Sequence, residues 1–377
     1  MNKNIFYWSP YLGRVATIRS VLNSMIGLSK FSKKKFKISI INCFGEWDQN
    51  ITSLKRNNIK TINLQKKIKF NIDIYGFILS RLVYLTTFFI TYKKLKNLLI
   101  KEKPDYLIVH LLTFIPFILF FCNKFNTKLI LRISGKPILS FYRCVLWKLM
   151  NKDLHLIFCP TLETKKYLLK KKIFDINKVK FLPDPVLYNV DIKKLSSKKN
   201  NSKLKKNSYY LCVGRLTKQK NQELLIKMIS QNKIKQKLLI IGNGELSNHL
   251  KNLISDLDLK KKVELMRYQE NIFYYIKKSK AVIIPSLWED PGFVMIESAF
   301  LKKTIICSDC PSGPREFIGK NKGGFLFNSN SISSLKNAIN KFENSDNRIL
   351  SKKINYAKNK SKMYSIENHT RLFSNYL

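Results

Sequence analysis

Residues 281–298 read AVIIPSLWEDPGFVMIES, and this stretch decides the fold. A short apolar run rich in β-branched residues ends at Pro285-Ser286, and a polar loop follows. After Pro291-Gly292 the pattern of GFVMIESAF becomes helical. A strand that passes through a loop into a helix is one step of a parallel sheet covered by helices. Two carboxylates mark the step. Glu289 falls on the loop at the strand's end, and Glu297, with seven residues between them, falls in the second turn of the helix. As bare residues they fit a general acid/base pair, a ligand clamp or two solvated glutamates.

Outward from this stretch the same alternation recurs. In the first half strands are expected at 4–9, 37–43, 105–111, 128–134, 155–160 and near 178–182, with helical patterns at 14–29 and 77–101. In the second half they are expected at 209–214, 236–242, 263–266, 281–286, 304–309 and 323–327. The expected fold class is α/β, with two Rossmann-like doubly wound parallel-sheet domains facing a cleft. The domains cover 1–184 and 185–350, and a helical tail, 351–377, packs on the first. The join, LPDPVL (182–187), holds two prolines that stiffen the crossing. The polar run at 194–207 is expected as a solvated loop.

Composition narrows the class. The 377 residues carry a net charge of +46, which by itself points to phosphates or to an anionic membrane. Only eleven residues are arginine, the residue suited to bidentate phosphate and base contacts, and the lysines are scattered along the whole chain. A nucleic-acid partner is therefore not expected. Seven cysteines at irregular spacing describe no disulfide framework, and the lone CxxC of Cys307 and Cys310 has no second pair or nearby histidine to complete a zinc set. The longest apolar stretch, 106–121, is broken by His110 and Pro116 and reads as a strand running into a helix. The N-terminal apolar run is too short for a signal peptide, so a cytoplasmic location is expected.

In open α/β sheets ligands bind outside the carboxyl ends of the strands, so the residues after each strand carry the chemistry. Gly214, Arg215 and Lys220 follow the strand at 209–214, a glycine for close backbone approach and two cations for a diphosphate. Gly242 and Gly244 form a tight turn in GNGEL, and Arg267 and Tyr268 follow the strand at 263–266. Gly292 and Phe293 open the helix that carries Glu297, whose N-terminus favours a phosphate.

In order, GRLTKQKN, GNGEL, SLWEDPGFVMIES and SDCPSGPREFIG resemble the donor-binding domain of retaining GT-B glycosyltransferases of the large family numbered four, whose mark is E-x7-E. The resemblance covers about 208–330. It is weaker over the first 190 residues, where WSPYLGRVATIRSVLNS, KPDYLIVHLLT and LRISGKP look like the acceptor-side domain of members that build bacterial surface polysaccharides such as O-antigen or capsule.

The resemblance implies a UDP- or GDP-linked sugar as donor and no other cofactor, with Arg215 and Lys220 on its diphosphate, Glu297 on the ribose hydroxyls and Glu289 facing the transferred sugar. Gly13 matches the loop that approaches the donor phosphate from the first domain, and His110 a histidine beside the donor sugar. Gly214, Gly242, Arg267, Tyr268, Gly292 and Phe293 complete the donor site. No metal is implied. The chain departs from the pattern at the first loop, which has one glycine where relatives have two, and at Lys302 and Thr304, which stand at a glycine and a proline place.

The expected partners are a nucleotide-sugar donor and a lipid-linked saccharide acceptor, with the basic, aromatic helix at 77–101 resting on anionic lipid at the inner face of the cytoplasmic membrane. The rival readings are a sugar-nucleotide-binding protein without transferase activity and a basic nucleic-acid-binding protein.

Overall fold

Continuous apolar runs buried on both faces become the strands of two parallel sheets. The computed structural model describes residues 2–11, 16–65, 77–197, 204–231, 234 and 236–377, with backbone alone for 77–84 and 189–191. By its contacts the chain divides into one unit of Met1–Pro185 with Ile366–Leu377 and a second of Val186–Ser365. The helix Asn347–Ser361 lies with the second unit and the helix Ile366–Ser374 with the first.

In the first unit the strands are β1 (Lys3–Trp8), β2 (Phe36–Asn42), β3 (Lys60–Asn63), β4 (Tyr106–Val109), β5 (Lys128–Arg132), β6 (Leu154–Cys159) and β7 (Val179–Phe181). They form an all-parallel sheet in the order β3-β2-β1-β4-β5-β6-β7. In the second unit β8 (Tyr209–Val213), β9 (Lys237–Ile241), β10 (Val263–Met266), β11 (Ala281–Ile284), β12 (Thr304–Ser308) and β13 (Phe325–Phe327) form a parallel sheet in the order β10-β9-β8-β11-β12-β13. Successive side chains alternate between two cores: Phe6 and Trp8 enter one and Ile5 and Tyr7 the other, as do Ala281 and Ile283 against Val282 and Ile284. The strand order reverses beside β1 in one sheet and beside β8 in the other, which opens a crevice at β1/β4 and at β8/β11.

Two expectations are corrected. β3 was not foreseen: its four residues, KTIN, form a partly exposed edge strand with no apolar run to announce it. The polar run at 194–207 starts inside a helix, Asn189–Ser197, whose Ile192 and Leu195 pack into the core of the second unit. Residues 198–203 of that run lie outside the described residues.

The first unit is tied to its C-terminal helix by a buried polar chain. His369 Nδ1 donates to the Pro183 carbonyl (2.7 Å), which fixes the tautomer, so Nε2 accepts from Ser24 Oγ (3.0 Å), itself 3.0 Å from the Tyr7 hydroxyl. One residue on, Asp184 accepts from Arg132 and from Ser20 Oγ (2.8 Å), and Asn23 donates to the Pro185 carbonyl (2.8 Å). Arg132 and Asp184 are both buried, a placement that costs little only because they pair. Gly27 lets the helix Ala16–Phe31 approach the C-terminal helix, since a methyl there would lie 2.2 Å from Thr370 Oγ1.

Burial, aided by Arg132, pushes the His369 pKa down to about 3. The unfolded chain binds that proton near pH 6.5. Stability is therefore intact above about pH 6.5 and is lost as pH falls toward 3, by about 1.4 kcal/mol per pH unit for this one group. In His369→Asn the denaturant midpoint of the first unit starts lower at pH 7 but falls less steeply between pH 6.5 and 5 than in the wild type. An unchanged slope would remove His369 from the balance.

Candidate active site

At the β8/β11 crevice the loop after β8 and the loop after β11 meet. The tight 3-10 turn Lys218–Lys220 holds Lys220, and the stem of this lysine runs back across Gly214. A methyl on Gly214 would lie 3.3 Å from it. The ammonium pairs with Glu289 Oε1, which also accepts from Ser286 Oγ (2.6 Å). Gln219 adds a second tie between the loops, donating through its amide to the Trp288 carbonyl (2.9 Å) and accepting at its backbone from Leu287 (2.8 Å). Its side-chain oxygen accepts from Arg215 (3.3 Å), whose guanidinium is otherwise exposed.

Glu289 is held from its other side as well. Its backbone N–H donates to Pro311 and its carbonyl accepts from Ser312 (2.7 Å) and Gly313 (2.9 Å). Gly292 then adopts φ +93°, the left-handed region that glycine enters without strain, and starts the helix Phe293–Phe300. Glu297 sits on that helix fully buried, and Glu289 is only 7% exposed. Two solvated glutamates are thus ruled out, because a carboxylate is not withdrawn from water without a compensating environment.

The sequence-predicted residues fall into three groups. Gly214, Arg215, Lys220, Glu289 and Gly292 are joined by the contacts just given. Phe293 and Glu297 follow on the same helix. Gly242, Arg267 and Tyr268 belong to the neighbouring loops after β9 and β10. A methyl on Gly242 would lie 1.9 Å from the Gly214 carbonyl oxygen, and one on Gly244 2.3 Å from that of Leu216. Asn243 Oδ1 accepts from the Tyr268 N–H (2.9 Å), leaving the side chains of Arg267 and Tyr268 exposed beside the crevice. The GNG glycines therefore have a packing reason to be glycine whatever binds above them.

Sequence reading missed Ser286 and Gln219, although each lies within a few residues of a predicted site residue. Cys310 lies near the Lys220–Glu289 pair. Its thiol is pushed up to about 12, mainly by burial, and that of Cys307 also rises well above the usual range. Both therefore stay protonated.

His110 belongs to the first unit and follows β4, where its N–H donates to the Trp8 carbonyl (3.0 Å) and its ring stacks on Tyr7 at 5.9 Å. Burial, with Arg132 and His369 nearby, holds it well below the ordinary histidine range, so the ring is neutral. It borders a cavity of about 230 Å³ shared with Arg132, Ser134, Arg143 and Trp147. Arg132 Nη1 and Ser134 Oγ are buried with no hydrogen-bond partner among the described residues. Gly13 lies outside the described residues. Also among the described residues, no group of three or more His, Cys, Asp or Glu is placed to hold a metal ion.

Residues 193–361, which contain the whole β8/β11 crevice, match the family described as glycosyl transferases group 1. This stretch is similar to that family. Along the chain, an uncharacterized glycosyltransferase of Methanocaldococcus jannaschii is 35% identical over 60% of this chain and 61% of its own length. From Campylobacter jejuni, an N-acetylgalactosamine-N,N'-diacetylbacillosaminyl-diphospho-undecaprenol 4-alpha-N-acetylgalactosaminyltransferase is 35% identical over 37% of this chain and 39% of its own length. The chain thus spans less than two thirds of these curated relatives. A glycosyltransferase structure from Rickettsia africae matches with a TM-score of 0.74 at 18% identity, covering 99% of this chain and 97% of that one. Anabaena HepE, solved with UDP and glucose, matches with a TM-score of 0.72 at 14% identity, covering 99% of both chains. Each unit of the present protein thus has the parallel-sheet α/β architecture of GT-B glycosyltransferases.

The second unit depends on backbone contact between its loops. Gly242→Ala forces a methyl into a main-chain oxygen that cannot move aside and is expected to destabilise the second unit by about 2 kcal/mol. Gly214→Ala meets only the flexible Lys220 stem and is expected to cost less than about 1 kcal/mol. Thermal unfolding of the two variants checks the order, and equal losses would contradict the packing account.

Proposed function

We propose that the protein is a retaining glycosyltransferase of the family numbered four, moving a sugar from a UDP- or GDP-linked donor to a hydroxyl of a lipid-linked saccharide in bacterial surface-polysaccharide synthesis. The observation that carries this reading is the Lys220–Glu289 pair. It sets a cation and an acid side by side at the strand-order reversal of the glycosyl transferases group 1 domain. The acceptor class is supported by the Campylobacter relative, named for a diphospho-undecaprenol substrate. The donor class is supported by the HepE complex with UDP and glucose.

In this reading Arg215 and Lys220 take the donor diphosphate. Negative charge grows on it as the anomeric bond breaks, so these cations and the N-terminus of the helix Phe293–Phe300 stabilise the transition state more than the ground state. Glu297 accepts from the two ribose hydroxyls, for which a carboxylate is a bidentate acceptor. Glu289 faces the transferred sugar. It is not required as a general base, because the leaving phosphate takes the acceptor's proton on the face from which the acceptor attacks. Gly13, Gly214, Gly242, Arg267, Tyr268 and Phe293 complete the donor's surroundings, and His110 stands beside its sugar. No further cofactor and no metal enter the scheme. The protein works at the inner face of the cytoplasmic membrane.

Thermal stabilisation by a panel of UDP-, GDP- and ADP-sugars identifies the donor. With that donor, Glu289→Ala is expected to lower kcat by about a hundredfold while binding persists, and Glu297→Ala to weaken donor binding by about tenfold. Transfer that survives Glu289→Ala unchanged would overturn the role given to Glu289, and donor binding by the wild type without any transfer would leave a binding protein, not a transferase.

A further inference from the structure

Three helices that cover one side of the first sheet carry large apolar side chains on their outer surface as well as their inner one. Phe141–Met150 turns Trp147 and Met150 into the core, as an amphipathic helix should. Its opposite side carries Phe141, 77% exposed, and Tyr142, 83% exposed, with Val145 and Leu149 behind them and Ile138 just before the helix. The neighbouring helix, Phe114–Cys122, presents Phe121, and Phe77–Glu102 presents Leu85, Phe89 and Ile100 while it buries Leu95 and Leu99.

Nine of the seventeen large apolar side chains exposed among the described residues lie on this one helical layer. On the other side of the same sheet the helix Ala16–Phe31 exposes only Phe31 among them. Isolated exposed apolar side chains are ordinary, but a concentration of this kind marks a surface that is covered in use.

We propose that the outer face of this layer, centred on Phe141 and Tyr142, docks on an anionic lipid bilayer. Charge selects the bilayer over another apolar partner. Phe114–Cys122 and Phe141–Met150 contain no Asp or Glu, and exposed Lys93, Lys94, Lys148 and Lys152 fringe the apolar side chains. Aromatic and aliphatic groups bordered by lysines, on helices too short or too charged to cross, are what an interfacial surface requires. Among the described residues no helix is long and apolar enough to span a membrane.

The same helix that offers Phe141 and Tyr142 outward sends Arg143 and Trp147 to the cavity beside His110, so the docked face borders a polar cavity of the acceptor-side unit. The inference deepens the reading of a lipid-linked acceptor and extends the docking surface beyond the helix 77–101.

Sedimentation of the full chain with phosphatidylglycerol–phosphatidylcholine vesicles tests it. The wild type is expected to partition onto these vesicles and only weakly onto phosphatidylcholine alone. Phe141→Ser with Tyr142→Ser is expected to lower the partition coefficient by at least about tenfold. Lys148→Glu with Lys152→Glu is expected to lower it several-fold, with the effect fading at high salt. Ile349→Ser, on the second unit, serves as a control and leaves binding unchanged.

Equal binding by the aromatic double variant, or no binding by the wild type, overturns the proposal. Concentration-dependent self-association that the same variant abolishes, without vesicle binding, overturns it in favour of a second copy. Donor turnover is read in the same samples. Vesicle binding without turnover defeats the transferase reading alone, and turnover without vesicle binding defeats the docking surface alone.

Discussion

The pairing of Lys220 with Glu289 is the contact on which the second unit's crevice depends. It joins the loop after β8 to the loop after β11, the two strands between which the sheet order reverses. Each partner is useless to a ligand if it wanders. The lysine has a long, flexible stem, and the glutamate sits on a loop. Gly214 gives the stem a track, Ser286 and the Pro311–Gly313 backbone fix the acid, and Gln219 ties the two loops independently of charge. A site assembled from such crossed supports is held in shape before anything binds, which is the condition for electrostatic stabilisation without reorganisation.

Close backbone packing makes that assembly possible. Gly242 and Gly244 bring the loop after β9 against the loop after β8, and Gly313 brings the loop after β12 against Pro291, where a methyl would fall 2.0 Å from a carbonyl oxygen. Gly242 stands among the donor-site positions that the resemblance implies, yet its nearest neighbours are main-chain atoms of an adjacent loop. A glycine after a strand signals that something passes close to the backbone, and sequence alone does not say whether that is a phosphate or another loop.

Legibility followed the same physics. β4, β11 and β12 are buried along their whole length, so burial wrote itself into unbroken apolar runs and the strands were plain. β3 lies at a sheet edge and needed no such run. Glu289 and Lys220 were legible because they follow strands. Ser286 and Gln219 act through hydrogen bonds that any loop residue of their type can make. In the first unit Arg132, Asp184 and His369 come from 132, 184 and 369, and no spacing rule connects them. The helix Phe141–Met150 was not singled out in the sequence, and only folding shows that apolar side chains lie on its outer face as well as its inner one.

The two glutamates of the opening stretch end in different physical situations. Glu297 is fully buried on a helix that begins at a left-handed glycine, so its position is set by secondary structure. Glu289 is carried by a loop and is set by an ion pair and a hydroxyl. A helix-borne acid changes position only if the helix moves, which suits a contact that must be the same for every donor bearing the same nucleotide. The two acids are therefore held by different means, one by a helix and one by an ion pair, and the proposed division of labour between ribose and sugar matches that difference.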